Sequence, residues 1–211
     1  MAYGFLDIAM TPSVRAAQAV NGSAKVYANF RGHREFDEFT DAEAEFIAAR
    51  DSFYMATVSE TGWPYVQHRG GPPGFLRMLD KKTLACADFR GNRQYISVGN
   101  LAANDRACLF LMDYPQRRRL KIYVRVEVVA LSEQPELFEK LVTPGYAAKV
   151  ERALIFHLQA FDWNCSQHIT PRFTEKELEP VLASARARIE ALEAENRQLA
   201  ERVRHAATEA L

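Results

Sequence analysis

Neither sign of charge is in excess in this chain, which sets 27 lysines and arginines against 27 aspartates and glutamates. A neutral balance gives no whole-chain attraction to nucleic acid or to an anionic membrane, so neither partner is expected. Long apolar runs are missing too: no window approaches the roughly 18 continuous apolar residues of a membrane-crossing helix. The first residues lack a charged segment followed by an apolar one, so export through a cleaved leader is not expected and the chain reads as cytoplasmic. Cysteine is scarce. Cys86, Cys108 and Cys165 form no even disulfide framework, and two of them sit in apolar strand contexts where cysteine acts as a small hydrophobe. Cys165 and His168 lie close together, but His33, His157 and His205 are scattered and no second pair stands at zinc spacing, so no metal site is expected. No Ser/His/Asp or Cys/His catalytic arrangement can be assembled, which leaves catalytic residues unassigned. No repeat of 20–50 residues is visible.

What is present begins with size: 211 residues can bury about 70% of the surface of the unfolded chain without staples. Thr11, Pro12 and Ser13 open a short helix in an N-terminal arm over 1–39, and Asn21, Gly22 and Ser23 close it. Thr40 and Glu43 form a capping box ahead of an apolar-periodic stretch. Strands follow at 53–59 and 64–69, joined by a turn at 60–62, then at 84–88, 107–112, 120–131 and 153–161, with a crossing helix at 136–142. Six strands with few helices between them imply an antiparallel barrel.

Two strand ends carry the chemistry. Gln67-His68-Arg69-Gly70-Gly71 closes one strand, and Asp88-Phe89-Arg90-Gly91-Asn92-Arg93 runs from another into a helical stretch. Glycine admits backbone N–H groups, arginine forks onto oxygens and a helix N-terminus favours anions, so this pairing suits a phosphate held without metal. Arg69 and Arg93 are the leading phosphate ligands. The stretch 70–75, two prolines between glycines, reads equally as a wall for a flat ring or as a plain loop. Trp163-Asn164-Cys165-Ser166-Gln167-His168 gathers an indole, amides and an imidazole after the last strand.

Gln67-His68-Arg69, Ala87-Asp88, Gly91-Asn92-Arg93, Asn100-Leu101 and Asn104-Asp105-Arg106, followed by an apolar strand, resemble the pyridoxamine 5′-phosphate oxidase-like, FMN-binding split-barrel family over roughly 40–174. The resemblance implies a homodimer with FMN at the interface on a mainly β (α+β), six-stranded antiparallel split barrel at 40–173. It implies phosphate and ribityl contacts from Gln67, His68, Arg69, Gly70, Ala87, Asp88, Asn92 and Arg93. From the other subunit it implies contacts by Trp163, Gln167 and His168. Where that family commonly has serine or threonine and lysine, this chain has Asn92 and Gln94. The activity implied is an FMN-dependent oxidoreductase acting on a small molecule with a possible nicotinamide donor; the alternatives are a non-catalytic flavin or haem carrier, a redox partner module, or an interaction protein. Oxidation of pyridoxamine phosphate is not expected, because a heptad helix stands where those enzymes carry a short tail with an arginine and histidine.

Composition shifts at Thr174. A capping box, Thr174 with Glu177, opens a segment at 174–211 that has no glycine. With Leu182, Ile189, Asn196 and Val203 at a and Leu178, Ala185, Leu192, Leu199 and Ala206 at d, a coiled-coil-like seam emerges. A lone asparagine at a sets register and favours parallel pairs. A single amphipathic helix lying on its own barrel is the other reading.

Overall fold

The computed structural model describes residues 2–28, 38–163 and 165–209. His33, Asn164 and the side chains of His205 and Ala206 lie outside the described set. Two compact units divide the chain, at 1–169 and 170–211.

In the first unit the arm contributes β1 (Ala2–Tyr3), α1 (Phe5–Ala9), α2 (Pro12–Val20) and α3 (Ala24–Tyr27). The body follows with α4 (Asp41–Ala48), β2 (Ser52–Val58), β3 (Pro64–Gly70), β4 (Arg77–Asp80), β5 (Thr83–Phe89), α5 (Ile96–Ala103), β6 (Arg106–Asp113), β7 (Arg118–Ala130), α6 (Pro135–Leu141) and β8 (Val150–Trp163). The strands form one antiparallel sheet in the order β3-β2-β6-β7-β8-β5-β4, with β1 added beside β8. The expectation of six strands is therefore corrected to seven on the main path, and the sheet is not closed by hydrogen bonds between its edges. The strand missed is β4, whose four residues are too few for an alternating pattern.

Alternation in β2, β6 and β7 puts Phe53, Met55, Leu109, Leu111, Leu120, Ile122 and Val124 inward, each almost fully buried. β5 is buried on both faces. Leu84 and Cys86 join the central core, while Ala85 and Ala87 lie with Ala153 and Ile155 beneath Leu137, Phe138 and Leu141 of α6. That second cover explains why β5 reads as a continuous run of small apolar residues. Burying each larger side chain contributes about 1.5–3 kcal/mol. The Thr40 capping box forms: the Thr40 N–H donates to a Glu43 carboxylate oxygen at 2.9 Å.

The second unit contains α7 (Glu175–Glu209), whose start is capped by Thr174 and Glu177 in both directions. Pro180 falls inside α7 without ending it. No helix among the described residues is long and apolar enough to cross a membrane.

Candidate functional site

Residues 65, 67 and 69 of β3 stand opposite Thr57, Met55 and Phe53 of β2, so Tyr65, Gln67 and Arg69 share the face that points toward the barrel interior. On β5 the same face ends at Asp88, in line with Leu84 and Cys86. β3 and β5 are not neighbours in the sheet. Their side chains meet because the sheet curls, and an ion pair between Arg69 and Asp88 bridges the gap. Arg152, directly across from Asp88 on β8, approaches the other carboxylate oxygen at 3.4 Å. A register shift between Asp88 and Phe89 bends β5 at this point.

These groups open a small hollow of about 60 Å³, lined by Tyr65, Gln67, Arg69, Asp88, Phe89 and the run 91–98 with Glu151. Tyr95 caps α5 with a left-handed backbone, φ 54°, and no side chain accepts from the first N–H groups of the helix. Arg93 is also left-handed, φ 64°. Two such non-glycine residues in three positions are a local cost that surrounding structure must hold in place. Part of that hold is visible: the Tyr95 hydroxyl donates to Glu151 at 3.3 Å, and the Arg152 guanidinium sits 4.9 Å from the Tyr95 ring centre. Asn92 closes a local turn by accepting from the Gln94 N–H at 3.0 Å. The Ser97 hydroxyl donates to Gln67 Oε1 at 2.6 Å, which leaves the Gln67 amide N–H groups available as donors.

Charge in and around the hollow is unevenly committed. Arg90 donates to Glu151 at 2.7 Å, and this bond holds the Glu151 carboxyl below its ordinary range while raising Arg90. Arg69 and Arg152 face Asp88. Arg93 has no acidic partner among the described residues. The Nε of Arg69 is buried with no hydrogen-bond partner. An uncapped helix start, an uncommitted guanidinium and an orphaned buried N–H are the donor set that an oxyanion such as a phosphate ester takes up.

Gln67, Arg69, Asp88, Asn92 and Arg93 are thus brought together. Other residues singled out in the sequence are placed elsewhere. His68 turns its ring to the opposite face, 5.5 Å from that of Tyr54, and the Ala87 methyl packs under α6. The loop after Gly70 is tied down by Gly71 N–H to Asp51 O at 2.9 Å and Gly74 N–H to Arg50 O at 3.1 Å, with Phe75 buried. A Cβ on Gly71 would meet the Phe75 ring at 2.7 Å, which accounts for glycine there. Trp163 packs edge-on against Phe46, donates its indole N–H to Glu43 at 2.5 Å and carries Arg118 over its ring at 4.5 Å. Gln167 and His168 are exposed in a turn beyond β8. Ser97, Tyr95, Glu151 and Arg152 escaped sequence reasoning; the last two reach the site only through the β5–β8 register.

A second, larger hollow of about 540 Å³ lies on the outer face of β2, β6 and β7, between Val58, Pro64, Cys108, Tyr123 and Ile8 of α1. Its volume falls in the range of small-molecule pockets. Burial raises the Cys108 and Tyr123 pKa values there. No group of three or more metal-ligating side chains occurs among the described residues.

A curled antiparallel sheet with a polar hollow of paired and unpaired charges between two non-adjacent strands is the arrangement the fold presents. Residues 39–166 match the pyridoxamine 5′-phosphate oxidase family, and the chain belongs to this family. No curated protein matches it. Solved structures similar to it include an FMN-binding protein from Syntrophomonas wolfei subsp. wolfei, with a TM-score of 0.45 and 17% identity over 71% of this chain and 97% of that one. HupZ of Group A Streptococcus gives a TM-score of 0.46 and 16% identity over 64% and 99% of the two chains. A Clostridium acetobutylicum protein related to general stress protein 26 gives 0.46 and 18% over 65% and 95%.

Proposed function

We propose that the chain is an FMN-dependent oxidoreductase acting on a small molecule, and that the hollow between β3, β5 and α5 takes the cofactor's phosphate. The observation that carries this reading is Arg93, a guanidinium without an acidic partner among the described residues, standing beside the uncapped start of α5. Arg93 and the first N–H groups of α5 hold the phosphate oxygens, with Arg69 Nε as a further donor. Gln67 and Asn92 present amides to the ribityl hydroxyls, while Asp88 fixes Arg69. His68, Gly70 and Ala87 contribute through the main chain. The bound isoalloxazine supplies the electron chemistry; the chain supplies binding, orientation and exclusion of water.

The working unit in this reading is a homodimer. Support comes from the outer face of the β2–β3 hairpin, where Tyr54, Val58, Trp63 and Val66 are all exposed, an apolar surface of the kind that interfaces cover. Gln167 and His168 reach the flavin of the other copy, with Trp163 anchoring the strand end from which they depart. A coiled-coil pairing of α7 adds to the assembly.

A visible spectrum of the purified protein, with the released cofactor identified by mass, tests the reading. FMN bound far more tightly than riboflavin and bleached by NADH or NADPH is expected. Tightly bound FMN that stays oxidised with both donors would make the chain a carrier; a colourless protein with no thermal shift on adding FMN would sink the flavin reading itself.

A further inference from the structure

α7 runs unbroken over 35 residues, and its apolar stripe is uncovered. Leu178, Leu182, Ile189, Leu192, Leu199 and Val203 are each at least 39% exposed. A helix with such a stripe normally buries it. Within the heptad frame Leu182 and the β-branched residues Ile189 and Val203 fall at a with Asn196, and Leu178, Leu192 and Leu199 fall at d with Ala185. β-branched residues at two of the a positions and leucine at three of the d positions suit a two-stranded parallel pair. Pro180 takes an f position, where it points away from the seam and disturbs no contact.

We infer that α7 pairs with α7 of a second copy of this chain, parallel and in register. This rests on the self-association put forward above and adds its orientation. Charge alone does not choose between orientations. A parallel pair sets Arg188 against Glu193 of the other helix, twice by symmetry, and an antiparallel pair centred on Ile189 and Leu192 would also match Arg186 with Glu193. Asn196 decides. In the parallel register it meets its own copy, so each carboxamide both donates and accepts. In the antiparallel register it faces Ala185, and a seam amide is left against a methyl group without a partner. The register that satisfies every polar group in the seam is the parallel one.

Disulfide trapping in the full-length chain, on a Cys165→Ser background, tests this. Leu178→Cys and Val203→Cys change exposed residues and leave the barrel core intact. In a glutathione redox buffer each variant alone should give a covalent dimer. If neither does so, and a mixture of the two variants cross-links Cys to Cys between them, the pair is antiparallel and the inference fails. A dimer in sedimentation equilibrium with no cross-link in any combination would remove α7 pairing while leaving barrel association standing. A monomer would remove self-association as well, and with it the contacts of Gln167 and His168 to the other copy's flavin; whether FMN is bound at all is read separately by the visible spectrum. As a second readout, Asn196→Leu should raise the thermal midpoint and admit trimers or larger species. An unchanged midpoint and a strict dimer would place Asn196 outside the seam.

Discussion

Arg69 on the edge strand β3 is ion-paired to Asp88 on β5, across a gap that no backbone hydrogen bond spans. Their side chains are largely buried, with 12% and 9% exposed. The pair fastens the curled sheet and commits Nη1 of Arg69, while its Nε stays without a partner.

Asp88→Ala should therefore act on stability before it acts on binding. Removing one partner of a buried ion pair costs about 3–5 kcal/mol, equivalent here to a thermal midpoint lower by roughly 6–20 °C in the apoprotein. Replacing both residues, Arg69→Met with Asp88→Leu, should recover most of that loss. A shift of about 2 °C or less in the single variant would show that water already compensates the pair.

Arg93→Ala should weaken FMN by about 1.5–3 kcal/mol, the size of a hydrogen bond to a charged group, or roughly 10- to 150-fold. Riboflavin, which lacks the phosphate, should bind variant and parent equally, as isothermal titration would read. Equal losses for both ligands would make Arg93 a structural residue of its loop.

Burial pushes the Cys86 thiol up to about 12, against the opposing pull of Arg69. The folded chain thus holds protonated a group that the unfolded chain ionises near pH 8.5. The stability this contributes is complete below that pH and is lost as pH rises from there toward 12. Cys86→Ala should flatten the decline in denaturant midpoint above about pH 8.5. Iodoacetamide at the same pH should label exposed Cys165 and spare Cys86 in the intact mass.

Glu151 shifts the other way. The hydrogen bond from Arg90 lowers its pKa, so its contribution is present above the ordinary carboxylate value near 4.3 and disappears as pH falls through the lowered one. Glu151→Gln should remove part of the acid sensitivity of the 89–98 segment, followed by Tyr95 fluorescence or amide exchange. An acid profile identical to that of the parent would show that the Arg90 contact is incidental.

Local signals in the sequence were enough for local structure. Thr40 with Glu43 and Thr174 with Glu177 satisfy helix N–H groups within one turn, so their spacing alone determines two helix starts. Alternation in 53–58, 107–112 and 120–126 determined which side chains enter the core, because a strand has period two wherever it lies. The family, too, was legible from Arg69, Arg93 and the asparagine positions around Asn100, whose amide donates to Thr57 at 3.0 Å. β4 was not legible, since four residues at a sheet edge gain their pairing from β5.

Tertiary structure alone decided what each candidate side chain faces. Arg152 and Glu151 lie about sixty residues from Asp88 and Arg90 along the chain, and meet them because β5 and β8 pair in one register and no other. His68 and Arg69 are adjacent in sequence and opposite in direction, which separates a ring on the outer face from a guanidinium in the hollow. Trp163 looked like a loop residue free to reach outward, yet Glu43, buried beneath it, draws its indole N–H inward across 120 positions. Composition and spacing determine which groups a chain owns; the curl of the sheet determines which of them meet.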